Sequence, residues 1–320
     1  MVSNVNGGGR TLSRRPISEF SSIEPVDSFG PPVDIPGLLA GMAPMSSDVK
    51  GIWPGNLDTN VGNAPDDIWM SEVAGKSKKD ASVSPNDGIM KDATVQKYIK
   101  GMKEAFGTWK TDTIAGRIAH AQAVIDGVTT EAKLPSLPII SDADLDPRSK
   151  LTIENAVFDS RNWRMIVRAD LLARPSLSAA DAASLAGTIF HETRHSEQEF
   201  NILRYVEPSG WRYGGITAPA SVVKLARANP LSSDSAIGIQ AKTMYENMYG
   251  LGSARRTQIL RELSSSTQGY NQTVQRYGAA SSQAMFSRST MMSSHDAYQA
   301  FPEESDAFSA GNKIINQWKR

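Results

Sequence analysis

The chain of 320 residues contains no cysteine. That excludes a disulfide scaffold, a thiol nucleophile, a cysteine-held iron–sulfur cluster and a cysteine-based zinc finger. No apolar run approaches 18 residues, so no transmembrane helix is expected. No apolar core follows a basic start, so no classical signal peptide is expected; the chain reads as cytoplasmic in its producer, or exported by a specialised secretion system. It lacks a charge excess: Lys plus Arg and Asp plus Glu number 34 each. A zero balance argues against a dedicated nucleic-acid binder, which needs a basic field. There is no phosphate loop, no Gly-rich dinucleotide turn, no Gly-x-Ser-x-Gly elbow and no internal repeat. Histidine is scarce. His120, His191, His195 and His295 are the only four, and two of them stand four residues apart. Apolar content of 40% and charged content of 21% are those of a globular protein with a real core.

Order along the chain is uneven. Residues 1–88 carry Gly7-Gly8-Gly9, Pro31-Pro32 and repeated Pro, Gly, Ser and Asn without a sustained period. They read as a flexible N-terminal segment, suited to engaging secretion machinery or a chaperone, with Ile52-Trp53 and Ile68-Trp69 as short docking elements. From Asp92 onward, Val95, Tyr98, Ile99, Met102, Phe106, Trp109, Ile114, Ile118, Ala121 and Ile125 recur at threes and fours. This predicts one long helix or two consecutive ones, ended by Gly127 and then Pro135 and Pro138. Short β-rich runs on either side of Ser160-Arg161-Asn162 predict a hairpin. From Ser178 the chain reads as helical, with breaks at Pro208-Ser209-Gly210, Gly214-Gly215, Asn229-Pro230 and Gly250-Leu251-Gly252. Asp142, Asp144 and Asp146 imitate the start of a calcium loop, but Pro147 and Ile153 stand where the loop needs Gly and Glu.

The chemistry lies in His191-Glu192-x-x-His195. On a helix, residues i and i+4 lie about 40° apart on one face, so both imidazoles can hold one metal ion. Glu192 projects about 60° round from His195, away from the metal but within reach of a water beside it. With four His and fourteen Glu in the chain, the expected number of accidental matches is about 0.002. Ser178 and Asp181 cap the predicted helix. Ala182, Leu185, Ile189, Thr193, Ser196, Phe200 and Leu203 make one small or apolar stripe, and small Ser184, Gly187 and Thr188 precede the histidines on another face. The helix is therefore expected to be buried on two faces.

A catalytic zinc site needs a third protein ligand. Glu304 is the first candidate. Pro302 suits the first turn of a helix whose apolar face runs Ala307, Phe308, Gly311, Ile315 and Trp318, and Glu304 falls on that face, whereas Glu303 and Asp306 point elsewhere. The competing role for Glu304 is a first-turn acid on the helix dipole; Glu199, Glu246 and Glu262 are the substitute ligands, with Glu199 too close along the same helix and Glu246 the stronger rival. Gly311 permits close approach to the histidine helix. His295 and Tyr298 precede this helix and are candidates to hydrogen-bond an oxyanion. Gln198, one turn past His195, is a candidate to orient a ligand from behind, and so is Asp306, although its direction on the helix is against it.

His191-Glu-Thr-Arg-His195-Ser-Glu-Gln198 followed by Tyr298-x-x-x-Pro302-x-Glu304-x-Asp306-Ala307 resembles the zincin-type metallopeptidase domains of the gluzincin group, including compact versions in bacterial effectors and toxins. The resemblance implies an α+β, mainly helical domain over 89–320. It also implies Zn2+ on His191, His195 and Glu304, Glu192 as general base, and a protein or peptide substrate. The interval from His195 to Glu304 is longer than compact members need, so residues 218–292 read as a helical insertion. An extended substrate is expected to add as a strand along Trp163–Arg168. Two other classes fit the same residues: a non-catalytic metal-binding or interaction protein, and a metal-dependent hydrolase of non-peptide amides.

Overall fold

The computed structural model describes residues 87–144, 155–209 and 216–318. The expected N-terminal segment, apart from its last two residues, lies outside them, as do Asp146, Pro147 and Ile153 of the would-be calcium loop and the Gly214-Gly215 break. The described chain is mainly helical with one small sheet, as an α+β reading requires.

The long apolar pattern resolves into two helices, α1 (Asp92–Gly107) and α2 (Ile114–Glu131). The slip in the pattern is a turn after which the Thr113 hydroxyl accepts from the Gly116 amide and starts α2. Gly127 does not end α2. It faces solvent while Ile125 and Val128 beside it are buried, and their packing outweighs the roughly 1 kcal/mol that an interior glycine costs. The stop comes at Lys133, whose φ is 57°.

After it lies a strand that periodicity cannot reveal, because it is three residues long: β1 (Ile139–Ser141). The expected hairpin follows as β2 (Ala156–Asp159) and β3 (Arg164–Val167). Asp159 closes its turn by accepting from the Asn162 amide and side chain and from Arg164. The sheet order is β1-β3-β2, with β1 parallel and β2 antiparallel to β3. This corrects the expected substrate strand. Trp163–Arg168 is the central strand, paired on both sides, and cannot accept another. The outer edge of β1 is covered by Gln122, which accepts from the Ile139 amide and donates to the Leu137 carbonyl. The outer edge of β2 faces the histidine helix.

A short α3 (Ala169–Leu172) leads to α4 (Ala179–Val206), the 28-residue helix that carries the motif. Ser178 and Asp181 form a reciprocal capping box at its start. Its apolar stripe enters the main core with α1, α2 and the sheet. Tyr98 packs on Phe190 at 4.7 Å and donates to the Ala186 carbonyl at 2.7 Å. Four further helices, α5 (Ala220–Ala228), α6 (Ala236–Met248), α7 (Ser253–Tyr277) and α8 (Ser282–Gln299), fill the interval read as an insertion. α6 packs on the end of α4 through Met244, Tyr245, Ile202 and Val206, and α7 pairs with α8 through Tyr270, Val274, Ala284 and Met291.

The last helix, α9 (Pro302–Trp318), crosses α4 at two glycines. A Cβ on Gly311 would stand 2.9 Å from the Gly187 carbonyl oxygen, and one on Gly187 would stand 2.7 Å from Ile315. No side chain fits between the helices there, and this approach brings Glu304 to the histidines. Gly311→Ala should therefore destabilise the fold by about 1–3 kcal/mol, as overpacking does. A thermal melt checks this, and an unchanged unfolding temperature would show that the crossing is not tight.

Candidate metal centre

His191 and His195 extend from the same face of α4, and Glu304 meets them from the first turn of α9. One ligand atom from each lies within 4.8 Å of the other two, the one such group of three among the described residues. The two Nε2 atoms are 3.0 Å apart, and Glu304 Oε2 is 3.4 Å from His195 Nε2 and 4.0 Å from His191 Nε2. Oε2 is buried and makes no hydrogen bond. A buried carboxylate oxygen left in that state beside two imidazole nitrogens fits a shared cation, and two nitrogens with one oxygen form a donor set for a divalent transition metal. Glu246 is not in the group; its carboxylate lies back against Gly250.

His195 and His191 are each held from behind. His195 Nδ1 lies 2.8 Å from Gln198 Oε1. The Gln198 amide donates to the Glu303 carbonyl and to Asp306 Oδ2, so its oxygen must face the ring. Nδ1 therefore carries a proton, and in the neutral ring Nε2 presents its lone pair. His191 hydrogen-bonds the backbone of Ala307 through its ring and packs edge-on against Phe308 at 4.6 Å. Burial and the neighbouring His195 push His191 down to about 3. For His195 burial works in the same direction, but Glu304 outweighs it and raises the ring to about 9. Glu304 is held well below the usual carboxylate range: burial opposes this, and the charges of His195 and Arg256 overcome it.

Glu192 sits between the ligands and the sheet. Its Oε2 accepts from the Phe158 amide of β2 at 2.8 Å, and its Oε1 stands 3.8 Å from His191 Nε2. Tyr298, near the end of α8, faces Glu304 and Glu192. Burial and the Glu304 carboxylate raise its hydroxyl well above the usual value, so it keeps its proton at neutral pH. His295, one turn earlier, lies beside Tyr298 and Phe308, outside the ligand group, and burial lowers its ring to about 4.

The sequence pattern misplaced two acids. Glu303 and Asp306 are not on an outer face; both are buried with Glu304, and Pro302 is the exposed residue of this turn. Asp306 accepts from Arg194 Nε at 2.6 Å as well as from Gln198, and Arg194 also pairs with Glu197. Glu303 pairs with Arg256 and accepts from Asn247 at 3.0 Å. Arg256, Asn247 and Tyr249 all come from the interval read as an insertion, and only the burial of the adjacent acids Glu303 and Glu304 could have signalled that a cation must reach them.

Glu199 lies one turn beyond His195, 3% exposed, and accepts from the Tyr249 hydroxyl at 2.8 Å. Burial raises it to about 7 from an ordinary 4.5, against that hydrogen bond. The stability of its neutral form is thus fully present below about pH 4.5 and lost as pH rises through about 7. In chelator-stripped protein Glu199→Gln should match the wild type at pH 4.5 and exceed it above pH 7 by about 3 kcal/mol. Denaturant melts across that range test this; parallel curves would contradict it.

Among the described residues no helix is long and apolar enough to cross a membrane. Comparison with family models, with curated proteins and with solved structures gives no match to this chain.

Proposed function

We propose that this chain is a zinc-dependent metallopeptidase with a zincin-like site. The observation that carries the reading is the convergence of His191, His195 and Glu304 on one point, with Glu304 Oε2 buried there without a hydrogen bond. His191, His195 and Glu304 would hold the ion. Bound zinc supplies Lewis acidity, polarising a carbonyl and bringing a coordinated water to a pKa of about 7.

The chain's own groups do the rest. Glu192 takes a proton from the attacking water and passes it to the leaving amine. Its anchor on the Phe158 amide keeps one oxygen on β2 and aims the other at the ligand cluster. The Tyr298 hydroxyl keeps its proton and donates to the carbonyl oxygen as that oxygen gains charge. Gln198 and Asp306 keep His195 in the tautomer that presents Nε2. β2, the edge strand beside Glu192, offers the backbone along which an extended peptide can lie.

The test is cleavage-site profiling by mass spectrometry on a proteome-derived peptide library. Zinc-loaded protein should cut peptide bonds, chelation should stop it and added zinc should restore it. Loaded protein that cuts no peptide would reject the reading.

A further inference from the structure

We propose that Arg256 is a positioning residue that makes Glu304 a one-oxygen metal ligand, so that the α6–α7 segment is part of the centre. This rests on the metallopeptidase reading only in requiring a metal at His191, His195 and Glu304.

Arg256 stands in the first turn of α7 and is 5% exposed. Its Nη1 pairs with Glu303 Oε1, and its Nη2 lies 3.6 Å from Glu304 Oε1. The guanidinium stacks 4.9 Å from the Phe301 ring, just before the turn from which both glutamates leave. Asn247 donates to Glu303 Oε2 at 3.0 Å. Of the four carboxylate oxygens on this turn, three therefore face a guanidinium or an amide. The fourth, Glu304 Oε2, is the one directed at the histidines.

A carboxylate beside a dication can engage it through one oxygen or two. A guanidinium holding Oε1 favours the one-oxygen mode and fixes the direction of Oε2. Arg256 also offsets Glu303, whose charge would otherwise lie buried against Glu304 with Asn247 as its remaining side-chain partner. A lysine keeps the charge but cannot fork across two carboxylates.

The experiment titrates Zn2+ and Co2+ into the chelator-stripped full chain, as wild type, R256A and R256K. Affinity is read by competition with a chromophoric chelator, and coordination from the visible bands of the Co2+ form. R256A should bind about 10–100-fold more weakly, with weaker Co2+ bands as Glu304 engages through both oxygens; R256K should be intermediate. A purely structural role would lower the unfolding temperature of the metal-free protein and leave the bands unchanged, and that result overturns the proposal. So does R256A with wild-type affinity and bands. If R256A does not fold, R256K decides: wild-type affinity and bands in R256K overturn the proposal. A wild type that binds neither metal overturns both this proposal and the metallopeptidase reading. A wild type that binds both, with unchanged Arg256 variants, overturns this one alone.

Discussion

His195→Ala and Glu304→Ala should each lose zinc under conditions where the wild type retains one equivalent. The loss should be far larger than the roughly 10–100-fold that follows from removing a supporting hydrogen bond, because each change removes one of only three converging ligand atoms. In Glu304→Ala the two imidazoles remain, but the carboxylate that offsets the metal's charge is gone. In His195→Ala the Gln198 amide also loses the ring it orients. His120 supplies the control. It lies at the partly exposed surface of α2, 3.1 Å from Asp112, so His120→Ala should keep zinc. Metal content after gel filtration reads all three variants. Wild-type zinc in Glu304→Ala would place the third ligand elsewhere.

Glu192→Gln should keep the zinc and lower turnover by about 10²–10⁴-fold, the usual worth of a positioned general base. Glutamine is the informative replacement because the contact to β2 depends on an acceptor. The Phe158 amide donates to Glu192 Oε2, and a glutamine carbonyl can still receive it. Alanine would leave that amide without this acceptor, at a cost of about 1–3 kcal/mol, and would mix a shift of the edge strand with the loss of the base. Steady-state hydrolysis on zinc-matched samples separates the two effects. Equal turnover in Glu192→Gln would remove Glu192 as the base, whatever the metal content.

Local patterns were readable wherever the cause was local. The capping box of Ser178 and Asp181, the two helices after Asp92, the hairpin, and the start of α9 at Pro302 all follow from neighbours in sequence. The convergence of His191, His195 and Glu304 was readable for the same reason: the i, i+4 spacing sets the histidines on one face, and the apolar register of α9 sets Glu304 inward. Gly311 could be read as a contact point because no other residue type allows such an approach.

The rest depended on distant partners. β1 escaped notice because three residues carry no period, and its place is fixed by β3 and Gln122. Without β1, the hairpin alone leaves β3 with an open edge, which is why β3 reads from sequence as a strand that a substrate could join. Asp306 and Glu303 read as outward because a helical wheel knows one partner helix, whereas α9 meets α4 on one side and α6 and α7 on another. The same omission hid Arg256 and the Tyr249 partner of Glu199, whose pairings span tens of residues in sequence.

His191, His195 and Glu304 are proposed to form a zinc site. The most direct test is the metal content of the full wild-type chain purified without chelator, by mass spectrometry on protein of known concentration. The proposed site predicts one zinc per chain, or its uptake to that ratio from micromolar zinc. A wild-type chain that stays free of zinc at that concentration, while folded, would contradict it.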